Sequence, residues 1–376
     1  MTYVEHRYPD PPRGYFERMS NSFFGIPIGV ILIVLPIALL WWNEDRAVAI
    51  EKAIGEAQNI VVSIDSKSVE PRHNGKLVHV TGVATAAGAI KDSALDLSFP
   101  GYLVINRQVE MFQWKEIRED KAWVYRQTWS RDWENSDHFK YPQGHVNPRA
   151  SAQSDSLTAK DARLGTFRLD DASLGRVEAN IAVQWNNRAT GMREILPPNT
   201  PAGHSLLPGG VLYRGKSPEK PQVGDLRITY TGLPSGSVLS IIARQSSDSF
   251  APYPTSNGQK IQIVRYGDHT PQEMFNDELS NNSFMTWMLR LGGLFGLWIG
   301  FMLLLGPLSS VLSFLPFVGE LVEGAIAIFA LVFALVIGSV VIALAWLAVH
   351  PFFSLVLAGT ALLTGFGILY LRFAPP

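Results

Sequence analysis

The side chains of this chain that could do chemistry are few and scattered. Among its eight histidines, the nearest grouping with a carboxylate is Asp137, His138 and His145, the place to look for a metal ion. These residues lack the one-turn helical spacing of a hydrolytic zinc site, and they sit in a segment rich in turn formers. A solvated loop accounts for them, so neither a metal nor a cofactor is expected. His79 stands between Val78 and Val80, where a histidine with ordinary hydrogen-bond partners is expected rather than a ligand. Glu110 lies between Val109 and Met111, yet alternation sends it to the polar face with Asn106 and Gln108. No nucleophile elbow, phosphate loop or dinucleotide fingerprint occurs in a strand–turn–helix setting. The chain also has no cysteine, which removes thiolate nucleophiles, thiolate metal sites and disulfides together. Catalysis is not expected.

A second group of charges borders sequence that is otherwise almost free of charge. Arg290 precedes the run from Leu291 to Gly319, and Glu320 and Glu323 separate it from the run from Gly324 to Val349; neither run holds a charged residue. An arginine at mid-bilayer costs roughly 2.5–3.5 kcal/mol, so Arg290 is expected to snorkel to the interface. The two glutamates, three apart, would share a helix face and could hold a cation or a proton, against the plainer reading of two boundary positions. Gly292, Gly296 and Gly300 recur every fourth residue and would present one smooth face to another helix, unless they reflect only the tolerance of membrane helices for glycine. Trp114, Trp123, Trp129 and Trp133 gather rings in one region, either as core or as a ligand or partner surface.

The elements that must carry these residues follow from the distribution of apolar side chains. Charged residues make up 17% of the chain, below the roughly 25% usual in soluble domains, and the deficit is concentrated in a few stretches. About 20 apolar residues cross a hydrocarbon core of roughly 30 Å. On that measure residues 1–21 form a cytoplasmic N-terminal segment and 22–42 a first transmembrane helix, with Trp41 and Trp42 at its interface and Glu44, Asp45 and Arg46 stopping it. A cleaved signal peptide is the competing reading, but the apolar run is longer than such peptides use, and those charges precede the small residues Ala47-Val48-Ala49.

Residues 43–283 form a β-rich extracytoplasmic domain, opened by a short helix at 46–57 that prolongs the first span. Its stretches 75–82 and 224–232 look alike, hinting at two related β units. Residues 132–160 are turn-rich and read as a long, mobile loop. Thr270, Pro271 and Glu273 have the order of an N-cap, a first helical position and a capping box. They lead into a second span at 284–306, a connecting or re-entrant segment at 307–323, a third span at 324–349 and a fourth at 352–371. The expected class is thus an α+β membrane protein with four transmembrane helices, one N-terminal and three C-terminal. Arg7, Arg13, Arg18 and Arg372 place both ends in the cytoplasm. The formal net charge of −1 and the absence of a basic block exclude a nucleic-acid footprint.

Trp41-Trp-Asn-Glu-Asp-Arg-Ala-Val48, Gly75-Lys-Leu-Val-His-Val-Thr-Gly82 and Arg107-Gln-Val-Glu-Met-Phe-Gln-Trp114 together resemble the LUMA (transmembrane protein 43) family. Ile242-Ala-Arg-Gln245, Gly267-Asp-His-Thr270 and Glu273-Met-Phe275 are similar to the same family, in the same order. The resemblance runs over nearly the whole chain. It implies four spans, cytoplasmic termini, and a large domain in the lumen of the endoplasmic reticulum and nuclear envelope, or in the periplasm beside a bacterial inner membrane. It also implies a role in organising membranes and membrane proteins, with nuclear-envelope partners in animals, rather than catalysis. The expected function is a scaffold embedded in the lipid bilayer that binds copies of itself, as a homo-oligomer, and other membrane proteins. The alternative is an ion channel or transporter subunit whose path would be bordered by Arg290, Glu320 and Glu323.

Overall fold

The computed structural model describes residues 5–9, 15–120, 122–183, 204–312 and 318–346, together with 356, 359–360 and 363. The chain divides into two compact units, one β-rich and one built from long apolar helices.

The β-rich unit contains nineteen strands among the described residues. In chain order these are β1 (Glu5–Pro9), β2 (Val62–Asp65), β3 (Leu77–Thr85), β4 (Ile90–Asp92), β5 (Leu97–Phe99), β6 (Tyr102–Glu119) and β7 (Ala122–Ser130). Next come β8 (Asp155–Thr158), β9 (Arg163–Leu164), β10 (Phe167–Arg168), β11 (Ile181–Ala182), β12 (His204–Leu207) and β13 (Val211–Arg214). The last six are β14 (Leu226–Pro234), β15 (Ser237–Ser246), β16 (Ser249–Ala251), β17 (Tyr253–Pro254), β18 (Lys260–Ile261) and β19 (Ile263–Tyr266).

One sheet runs β1-β7-β6-β14-β13-β12, with β8 on β6 and β11 on β14. A second large sheet runs β19-β15-β16-β10-β9-β3-β2, with β15 also paired with β3, and β4-β5 and β17-β18 form two small two-stranded sheets. Side chains from both large sheets meet in one apolar core: Val78 and Val80 from β3, Ile105, Val109 and Met111 from β6, Ile228 from β14, and Leu239 and Ile241 from β15. The alternation read in β6 is present, with those three buried and Asn106, Gln108 and Glu110 half-buried. The two look-alike stretches fall on β3 and β14. These strands hold reciprocal places: β14 pairs antiparallel with β6, the long strand after β3, and β3 pairs antiparallel with β15, the strand after β14.

Three sequence expectations are modified. The stretch 1–21 was read as one segment, but Glu5–Pro9 is an edge strand paired with β7. The turn-rich stretch 132–160 ends in strand β8. Ahead of that strand, Asn147 accepts from the Trp114 N–H at 2.8 Å and donates to the carbonyls of Trp114 and Glu134, tying the loop to β6. A buried amide that satisfies three backbone groups is a strong anchor, because each of those groups would otherwise be desolvated without a partner. His145 in this loop is 1% exposed, so the solvated reading of Asp137, His138 and His145 is corrected for that residue.

The helical unit consists of most of α1 (Tyr15–Ile60), α3 (Pro271–Leu312) and α4 (Val318–Trp346); a short α2 (Asp171–Leu174) belongs to the β-rich unit. Each long helix contains a stretch long and apolar enough to cross a bilayer, with mean hydropathy 2.3, 1.9 and 3.0 in turn. The fourth expected span, 352–371, falls largely outside the described residues. The 46 residues of α1 rise about 69 Å at ~1.5 Å each, so the helix outruns the bilayer and Glu44–Arg46 do not stop it. At the start of α3 the capping box forms: the Glu273 carboxylate accepts from the Thr270 N–H at 2.8 Å, and the Thr270 hydroxyl accepts from the Glu273 N–H at 3.3 Å.

Candidate functional site

Glycines bring α1 and α3 into backbone contact. A Cβ built on Gly300 would lie 2.6 Å from the Leu32 carbonyl oxygen, and one on Gly29 would lie 2.8 Å from the Gly300 carbonyl oxygen. Gly296 faces the Pro36 ring and Gly293 faces Leu40, a residue with no exposed surface, so the helices run antiparallel in a continuous register. Of the three glycines singled out in the sequence, Gly296 and Gly300 therefore pack within the chain. Gly292 has open space where a side chain would be. The spacing missed Gly293, and it missed Gly25 and Gly29 on α1, whose own four-residue interval was the available signal.

The same register stacks polar side chains at one end of the apolar stretch. Asn43 donates to the Thr286 carbonyl at 3.1 Å and Asn282 donates to the Ala47 carbonyl at 3.0 Å. Arg46 reaches Asn282 and Thr286, each at 3.1 Å. At the centre is Glu44, with no exposed surface. Arg290 grips it with two parallel hydrogen bonds of 2.7 Å, and the Trp346 indole of α4 donates to the same carboxylate. The guanidinium also lies 4.9 Å from the Trp287 ring. The Arg290 guanidinium turns inward to a carboxylate one helix away rather than out towards solvent. The reason is geometric: antiparallel packing brings residue 44 to residue 290, and a bidentate pair satisfies both charges. Trp41, Trp42 and Trp287 are more than half exposed around this level, as an interfacial aromatic belt requires. Glu320 and Glu323 lie on α4, but their side chains are outside the described residues.

The β-rich unit carries two further polar features. Arg107 shares the apolar face of β6 with Ile105 and Val109 and is 5% exposed. It donates to Asp92, whose other oxygen accepts from the Tyr230 hydroxyl at 2.6 Å, and burial pushes that phenol well above its usual range. The signal was there, since position 107 is in phase with the buried residues of β6. His79 is satisfied by Ser63 at 3.2 Å and by the His269 carbonyl at 2.9 Å, and burial holds its pKa below the usual 6.5. Among the described residues no cluster of side chains is arranged to hold a metal ion.

Rings gather at the outer end of the β6–β7 hairpin. Tyr125 stacks on His145 at 4.0 Å and Trp114 meets His145 edge-on at 4.8 Å. Trp129 packs instead against Phe112 and under the Arg227 guanidinium, and Trp133 donates to the Pro148 carbonyl. The four tryptophans read together in the sequence are therefore dispersed, and only Trp114 belongs to this pocket.

A β-rich unit whose sequence is flanked by glycine-packed apolar helices defines an integral membrane protein. The model of the family described as Transmembrane protein 43 matches residues 108–351, and the chain belongs to that family. It is 29% identical to transmembrane protein 43 of Homo sapiens over 372 residues, covering 93% of this chain and 90% of the relative. The Pongo abelii protein gives the same figures: 29% identity over 372 residues, covering 93% of this chain and 90% of that protein. The transmembrane protein 43 homolog of Drosophila melanogaster is 26% identical over 285 residues, covering 70% and 72% of the two chains. No solved structure matches.

Proposed function

We propose that this protein is an integral membrane scaffold, which holds its β-rich domain in an extracytoplasmic compartment and organises membrane proteins by binding them and copies of itself. The observation that carries this reading is the pairing of Glu44 with Arg290. An ion path needs charges that face water and exchange partners, whereas these two are buried, bidentate and locked by Trp346. Their geometry serves rigidity, joining α1, α3 and α4 into one unit. The apolar surface left over supports assembly: Phe284, Leu291 and Phe295 of α3 are more than half exposed, beside the open position at Gly292.

Mass photometry of the purified protein in detergent tests this reading. A defined oligomer that loses mass when Gly292 is replaced by Leu supports it; a monomer that conducts ions in proteoliposomes rejects it. The channel reading would need flux that disappears when Glu320 and Glu323 are neutralised.

A further inference from the structure

The β6–β7 hairpin reaches beyond the sheet that roots it. β14 pairs with β6 as far as Met111, Phe112 still exchanges backbone hydrogen bonds with Gly224 and Asp225, and Asn147 holds Trp114; beyond that, from Lys115 to Glu119, β7 is the one strand paired with β6, and the outer edge of β7 carries β1. A bare two-stranded ribbon is marginal in water, and its free edge is a template for a third strand. The way β1 is held shows what that edge recognises. Its five residues pair with Ala122–Arg126, and the side chains alternate in role. His6 and Tyr8 point to the rings: His6 bonds His145 at 2.8 Å, and Tyr8 stacks on Tyr141 at 4.6 Å. Glu5 and Arg7 point outward, to Arg126 at 2.8 Å and Asp120 at 3.5 Å. The Arg126 guanidinium holds the Glu5 carboxyl below its usual range.

Hydrogen-bonded strands share one aqueous compartment. Residues 5–9 can occupy this edge only while both ends of α1 face the same compartment, and a single crossing of the bilayer by α1 withdraws them. We propose that in the membrane-inserted protein the outer edge of β7, with its pocket of Trp114, Tyr125, Tyr141 and His145, is a docking groove for an extended segment of a partner protein. The segment has the pattern that Glu5–Pro9 displays: carboxylate, ring, cation, ring at successive positions. Backbone pairing supplies the affinity and the ring pocket the selectivity. This rests on the partner-binding reading above, yet the two fail separately, because a scaffold could assemble through its helices with the groove unused.

The probe is a fluorescent peptide of residues 4–11 of this chain, titrated by anisotropy against the full-length protein in lipid nanodiscs. Saturable binding is expected, weakened at least tenfold by Tyr141→Ala in the protein. A peptide with Ser at positions 6 and 8 should lose as much, and that control cannot disturb the protein's fold. Absence of saturable binding, or equal binding of the Ser-substituted peptide, overturns the proposal. Because the chain has no cysteine, a Glu5→Cys/Arg126→Cys pair, opposite one another in the register, reports whether the protein's own strand remains in place. No disulfide is expected on oxidation of the nanodisc-embedded protein, and an intramolecular disulfide would show the groove to be already filled and overturn the proposal.

Discussion

Replacing Glu44 by Ala is the most informative single perturbation of the helical unit. Glu44 has no exposed surface, and Arg290 retains only 13% of its side-chain exposure. The substitution removes two charge-assisted hydrogen bonds of 2.7 Å and the acceptor of the Trp346 indole at once. The guanidinium is then left without its anion in a site closed by Trp287 and Trp346, and breaking a buried pair in this way costs about 3–5 kcal/mol. Arg290→Ala should cost a similar amount, because it strands the carboxylate instead. The double substitution should cost less than the sum of the two by more than ~1 kcal/mol, since the second change removes the charge that the first left unpaired. Equilibrium unfolding in mixed micelles, followed by tryptophan fluorescence, reads all three variants. A cost below about 1 kcal/mol for Glu44→Ala, the range of exposed pairs, would refute the reasoning, as would strict additivity of the two changes.

The glycine face gives a sharper contrast. Gly300→Leu should destabilise the helical unit, because its side chain would strike the Leu32 carbonyl, whereas Gly292→Leu should leave monomer unfolding unchanged; the same micelle titration compares them. In the β-rich unit, Asp92→Ala should cost about 3 kcal/mol, the low end for breaking a buried pair, because Arg107 keeps the Gln153 carbonyl at 2.7 Å and Asp155 at 3.7 Å; chemical denaturation reads it. Thr270→Ala should cost about 1 kcal/mol through loss of the cap on α3. His79 adds a pH dependence of definite sign. Its folded-state pKa lies below the usual 6.5 through burial, so as pH falls past that value the unfolded chain takes a proton that the folded chain refuses. Stability should therefore decline as pH drops from 7 towards the lowered value, and His79→Gln should flatten that slope in melts across the range.

Much of the architecture was legible in sequence because it rests on local patterns. Three of the four expected spans, those on α1, α3 and α4, follow from unbroken apolar runs, the alternation in β6 from a period of two, and the start of α3 from Thr270-Pro-Gln-Glu273. What was not legible depends on residues far apart in the chain. Nothing near Glu44 announces Arg290, 246 positions away, so the first was read as a stop signal and the second as a snorkelling side chain. His145 was read as solvated because its neighbours are turn formers, while its burial comes from β6, β7 and β1. The strand at Glu5–Pro9 was missed for a similar reason: an edge strand with mostly exposed side chains has no apolar face to betray it. Gly296 and Gly300 were visible as a packing face, but the sequence did not say whether the partner helix would be the chain's own. Arg107 shows the converse, a charge whose position in phase with buried neighbours was on the page and whose type argued against burial.

We propose that α1 carries the chain once across a bilayer, leaves the β-rich domain on the far side from Arg13 and Arg18, and so withdraws Glu5–Pro9 from the edge of β7 that this strand occupies in the structure. Single cysteines introduced into the cysteine-free chain at Arg13 and at Asp155 test it with a membrane-impermeant thiol reagent on sealed, oriented vesicles. The account predicts that Asp155→Cys and Arg13→Cys are labelled from opposite faces. Labelling of both from the same face would contradict it.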